Sequence, residues 1–139
     1  MQEKQSQATI RLLDVASRLE QVLDREMKTA GLPAFIWFRI MRELRDEGDG
    51  GLRPVALQQR VHLAQYNLSR IIDRMEHAGL VIRFPAMADQ RGHILKLSPR
   101  GQETLIGVEQ IYHIALERYL GDRLNARESG QLLTLLEKF

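Results

Sequence analysis

Between residues 65 and 74 the chain reads QYNLSRIIDR, and six of those ten side chains can exchange hydrogen bonds or charge with a polyanion: Gln65, Tyr66, Asn67, Ser69, Arg70 and Arg74. Amides suit adenine, guanidinium groups suit guanine or a phosphate, and hydroxyls serve either. This is therefore the inventory needed to read base edges in a major groove. Arg70 is the expected principal reader. Asp73 lies among them and would repel phosphate, so its expected role is to orient a neighbouring arginine. A second cation, Arg91, is placed to reach a minor groove beside the first contact, where negative potential attracts arginine. Asp89, two residues earlier, cannot favour DNA directly and is expected to hold its loop through an ion pair or backbone hydrogen bonds.

These residues need a helix to carry them. Leu68, Ile71, Ile72, Met75 and Ala78 recur at steps of three and four, which stacks them on one stripe of a helix over Gln65 to Ala78. Tyr66, Ser69, Arg70, Asp73 and His77 then fall on the opposite side. Upstream, Pro54 can open a short helix at its first position, where the missing donor costs nothing, with Leu57 and Val61 facing inward. The linker to the next helix is so tight that His62 is expected to take a positive φ, a conformation in which His is enriched among non-glycine residues. Downstream, Gly79 is a natural helix C-cap. Leu80 to Phe84 and His93 to Leu97 are apolar, β-rich runs of strand length that should pair as a hairpin around the loop Pro85 to Gly92. The order of short helix, tight turn, reading helix and hairpin is that of a winged helix-turn-helix.

The stretch resembles the MarR family of winged-helix regulators. The resemblance is carried by Leu68-Ser69-Arg70-Ile71-Ile72-Asp73-Arg74-Met75-Glu76, Gly79-Leu80-Val81, Arg83, Asp89-Gln90-Arg91-Gly92 and Leu97-Ser98-Pro99-Arg100-Gly101. It extends more loosely over nearly the whole chain. Ala64 stands where the family usually has a capping Ser, Gln58 where a small Ala is common, and Ala86 where a further polar residue is frequent. The resemblance implies a homodimeric repressor or activator that binds double-stranded DNA and is often released from it by a small ligand. It also implies a cleft for an aromatic effector, for which Arg18, Trp37 and Phe38 are the candidates; core packing is the competing role for a lone Trp at helical spacing.

The remaining sequence is read as the frame for that reader. Its 139 residues, 44% apolar and 27% charged, suit one domain or two interdependent lobes. The net charge of +2 conceals an asymmetry: residues 52–100 hold eight Lys/Arg against three Asp/Glu, and the rest of the chain is net acidic. There is no cysteine, hence no disulfide and no thiol switch. Met1 to Gln7 is polar and no run approaches the roughly 20 residues needed to cross a bilayer, so a cytoplasmic location is expected.

A stripe from Leu12 to Met27 predicts a helix over Ala8 to Lys28, and a second helix should run from Pro33 to Asp46 before a flexible glycine-containing loop ending at Gly51. Pro99 to Tyr119 reads as a long helix apolar almost all round, and Asn125 to Phe139 as a short one too apolar to stand alone. One chain has too little core to hide these faces. The expected fold is therefore mainly α with a small β-hairpin wing, about six helices and an intertwined homodimer. It divides into dimerisation and support helices (1–50), the DNA-binding lobe (51–100) and C-terminal dimerisation helices (101–139).

Glu109, His113 and Glu117 lie four residues apart and could offer ligands to a divalent metal, but structural zinc normally takes four, so a polar stripe is the preferred reading and no metal or other cofactor is expected. No nucleophile elbow, phosphate-binding glycine loop or paired catalytic motif is present, which argues against an enzyme. The alternative of another class is a winged-helix adaptor that binds protein rather than DNA. The arginines of the reading face argue against it.

Overall fold

A computed structural model describes residues 1–86 and 92–139. Among them are six α-helices and one hairpin: α1 (Gln2–Thr29), α2 (Phe35–Glu47), α3 (Pro54–Val61), α4 (Gln65–His77), β1 (Val81–Pro85), β2 (His93–Leu97), α5 (Pro99–Gly121) and α6 (Ala126–Leu136). The two strands are antiparallel, with Val81 opposite Leu97 and Phe84 opposite Ile94. α1 begins well before the predicted Ala8. Its first residues, QEKQSQ, are mostly good helix formers without an apolar stripe, so periodicity does not register them although propensity favours them.

The core gathers around α2, whose Phe38, Ile40, Met41 and Leu44 are all buried. Leu57 and Val61 of α3, Leu68, Ile72 and Met75 of α4, Leu80, Val81 and Leu95 of the hairpin, and Leu105 and Val108 of α5 close on it, with Met27 of α1. The apolar stripes expected of α3 and α4 are therefore used, and the two helices and the hairpin of the reader share one hydrophobic interior with their support. Truncating a buried leucine such as Leu57 in so continuous a core typically costs about 2–5 kcal/mol.

The segment expected to be a flexible loop is ordered. α2 runs on to Glu47, Gly48–Gly50 forms one 3-10 turn, and Leu52 then bridges to Leu95 through two backbone hydrogen bonds of 2.9 and 2.7 Å. Gly51 makes this possible: its φ is +68°, and a Cβ there would lie 2.5 Å from Ile94 Cγ2 and 2.7 Å from the Leu95 carbonyl oxygen. Gly51 is thus placed for close approach to the hairpin, whereas Gly48 and Gly50 meet nothing there.

The other end of the hairpin is fixed by Ser98. Its hydroxyl accepts from Gly101 N (2.9 Å), capping α5, and donates to the Gly79 carbonyl (2.6 Å), while Ser98 N donates to the Leu80 carbonyl (2.9 Å). Gly101 is required because a Cβ would stand 2.2 Å from that Leu80 oxygen. The Leu-Ser-x-x-Gly motif is thereby a joint between the end of α4, the start of β1 and the start of α5.

Two elements are poorly covered. α1 buries only Leu23 and Met27 over its 28 residues, and α6 buries none, although Asn125 and Glu128 cap it reciprocally at 2.8 and 2.9 Å. Leu132, Leu133, Leu135 and Leu136 are exposed on α6 and Phe139 beyond it, as are Ile10, Leu12, Leu13 and Val15 on α1 and Ile106 and Ile114 on α5.

Candidate nucleic-acid interface

α4 is aimed by the turn before it. His62 terminates α3 with φ 56° and ψ 44°, the left-handed geometry expected of it, and it is the single non-glycine residue with positive φ among the described residues. Ala64 follows in an extended conformation and has no capping side chain, so the first-turn amides of α4 lack a side-chain acceptor. With Leu68, Ile72 and Met75 buried, Ser69, Arg70 and Arg74 are exposed together, and Asn67 is half-buried beside them. Gln65 and Tyr66 occupy the first turn of the same helix. Neither Arg70 nor Arg74 forms an ion pair among the described residues, so both guanidinium groups remain available.

Asp73 does hold an arginine, but the partner is on the wing. Arg83 of β1 pairs with Asp73 through one terminal nitrogen and lies 3.8 Å from Glu76 through the other. Sequence reasoning missed this role. The signal was present in the strand's alternation: Val81 and Arg83 share a face, Val81 is buried, and a cation on an inward face calls for an acid. On the wing's other face Lys96 Nζ sits 4.9 Å from the Phe84 ring centroid. Asp89 and Arg91 lie outside the described residues.

None of the three candidate effector residues lines the main cleft beside α4. Phe38 is only 1% exposed and packs in the core, its ring centroid 4.6 Å from Tyr112 and 5.7 Å from Phe35; Trp37 borders the core and Arg18 lies exposed on α1. A cleft of about 620 Å³ between α1, α2 and α4 is lined instead by Phe35, Ile36, Ile71 and Arg39, with Glu20 and Asp24 on the α1 side and Asn67, Arg70 and Arg74 on the α4 side. Spacing along a helix identified the aromatic residues, but α2 rolls Phe38 inward and leaves Phe35 at the cleft. Asp24 is partly committed, since it accepts from Phe35 N (2.8 Å) at the start of α2. Glu109, the first of the stripe weighed as metal ligands, pairs with Arg45 of α2. That hydrogen bond raises the pKa of Arg45 above the ordinary guanidinium value.

The profile of the MarR family matches residues 37–93, from α2 to the start of β2. The transcriptional regulator HosA of Escherichia coli is 31% identical over 101 residues, covering 73% of each chain. The chain belongs to the MarR family. Among solved structures, a mutant MarR from E. coli in complex with operator DNA superposes with a TM-score of 0.77 at 26% identity, covering 92% of this chain and 90% of that one. BldR of Sulfolobus solfataricus gives 0.84 at 19% identity over 99% and 97%, a likeness of fold alone. The protein is thus a MarR-family transcriptional regulator with the winged-helix fold, and its relatives are regulators, not enzymes. Of the described helices none is long and apolar enough to cross a membrane.

Proposed function

We propose that this MarR regulator binds a pseudo-palindromic operator as a homodimer and acts as a repressor. The observation that carries the reading is the exposed, uncommitted pair Arg70 and Arg74 on a helix whose opposite side is buried in the core. Arg70, near the start of the helix, suits paired contacts to guanine, and Arg74, one turn later, suits phosphate. Ser69, Asn67, Gln65 and Tyr66 supply further contacts from the same turns. Arg91 enters the minor groove and Asp89 holds the wing. The unburied apolar faces of α1, α5 and α6 support pairing with a second copy, which would set two α4 helices into successive major grooves.

An effector would enter the cleft between α1, α2 and α4. Its apolar wall and Arg39 suit a small aromatic acid, and its other wall is formed by Asn67, Arg70 and Arg74, so occupancy and DNA contact share residues. The proposed division is into dimerisation and support helices (1–50), the reader (51–100) and C-terminal dimerisation helices (101–139). Footprinting on DNA selected from a random pool tests the reading. Two protected half-sites centred about 10 bp apart are expected, with affinity that falls steeply as salt rises. One half-site bound by one subunit, or no salt-dependent binding at all, counts against it.

A further inference from the structure

We infer that Arg83 is a positioning residue for DNA recognition: it is a strut between β1 and α4 that fixes the angle at which the reading helix and the wing meet the duplex. The inference rests on the DNA-binding reading above. Helix and hairpin are joined at one end by the Gly79 turn and by the Ser98 hydrogen bonds, all within two residues of Leu80 or at its partner strand's end. Further along the strands, Leu95, opposite Arg83, seats the hairpin in the shared core, and the polar tie to α4 at that level is made by Arg83. Arg83 lies three residues further along the strand, about 10 Å from that joint at 3.3 Å per residue. There it reaches Asp73, a full turn before the end of α4, and Glu76.

Apolar packing seats the hairpin on α4 but is non-directional. Between α4 and the hairpin lies an open cleft of about 340 Å³, lined by Leu68, Ser69, Ile72, Arg83, His93 and Leu95. Apolar contacts hold the two elements together, and Arg83, which lines this cleft, adds a directed link to Asp73 and Glu76 of α4. Because the guanidinium is already compensated by two carboxylates and is less than a third exposed, it is poorly suited to be a phosphate contact itself. Because its partners are largely exposed, the pair contributes little to global stability. What it fixes is orientation, on which simultaneous contact by Arg70 and the wing depends.

The test is a double-mutant cycle on a duplex selected by the wild-type protein from a randomised pool, with a scrambled duplex as control. Arg83→Gln and Asp73→Asn should each weaken binding to the selected duplex about tenfold, change binding to the scrambled one little, and in combination weaken it no further than either alone. The Asp73→Asn arm separates positioning from charge, since removing a carboxylate beside phosphates should otherwise tighten binding. Tighter binding by Asp73→Asn, additive losses, or losses that track a lowered melting temperature would overturn the strut. A second measurement does not involve DNA: in the free protein both variants should speed amide exchange in β1 and β2 and leave α5 unchanged. Unaltered hairpin exchange refutes the inference even if operator binding is weakened. Failure of the wild type to select any duplex refutes the functional reading instead.

Discussion

Arg70 has no partner among the described residues, and its neighbours Leu68, Ile71 and Ile72 turn inward, so its guanidinium is free to seek one on DNA. Arg70→Ala should cost roughly 1–3 kcal/mol and should flatten preference at a single base position. Selection from a randomised operator reads both effects; equal weakening on every sequence would reassign Arg70 to phosphate. His62 poses a different residue-scale problem, because its backbone sits at φ 56° where a β-branched side chain clashes. His62→Val should therefore destabilise the fold by about 1–2 kcal/mol, measurable in urea unfolding, whereas His62→Gly should be nearly neutral.

The base of the wing is locked by Ser98 and Gly101, and the DNA contacts proposed for it belong to the other end. Arg91→Ala should lower affinity without altering the preferred sequence, since the minor groove offers a degenerate pattern. It should also reduce the salt slope by roughly one per arginine withdrawn from phosphate, two per dimer. Asp89→Ala should weaken binding as well, although it removes a repulsive charge, if it holds the wing tip. Titrations at several salt concentrations check both, and an unchanged slope or tighter binding would show that this wing does not engage DNA.

At the scale of the whole molecule the deciding quantity is uncovered apolar surface. α6 contributes nothing to the core of its own chain, yet its leucines lie in register and its start is firmly capped, which is what a helix built for an intermolecular core requires. Deleting residues 125–139 should yield aggregated or unfolded protein, followed by sedimentation and circular dichroism. A soluble, well-folded monomer lacking α6 would count decisively against the interlocked dimer.

Read from left to right, the sequence alone determined the order of elements, the inward stripe of α4, the left-handed turn at His62 and the family, because each depends on local spacing or on a residue's own conformational preference. Tertiary structure decided what spacing cannot encode. Whether Phe38 or Phe35 faces the cleft depends on the roll of α2 against α5. That Gly51 is a point of close approach and not of freedom depends on Ile94, far away in the chain. The partner of Asp73 is the most instructive case. An aspartate on a reading helix has Arg70 one turn before it and Arg74 next to it in the chain, and local reasoning assigns it to a neighbouring arginine, but the hairpin folds back and delivers Arg83 from the strand, leaving both reading arginines without an ion pair among the described residues.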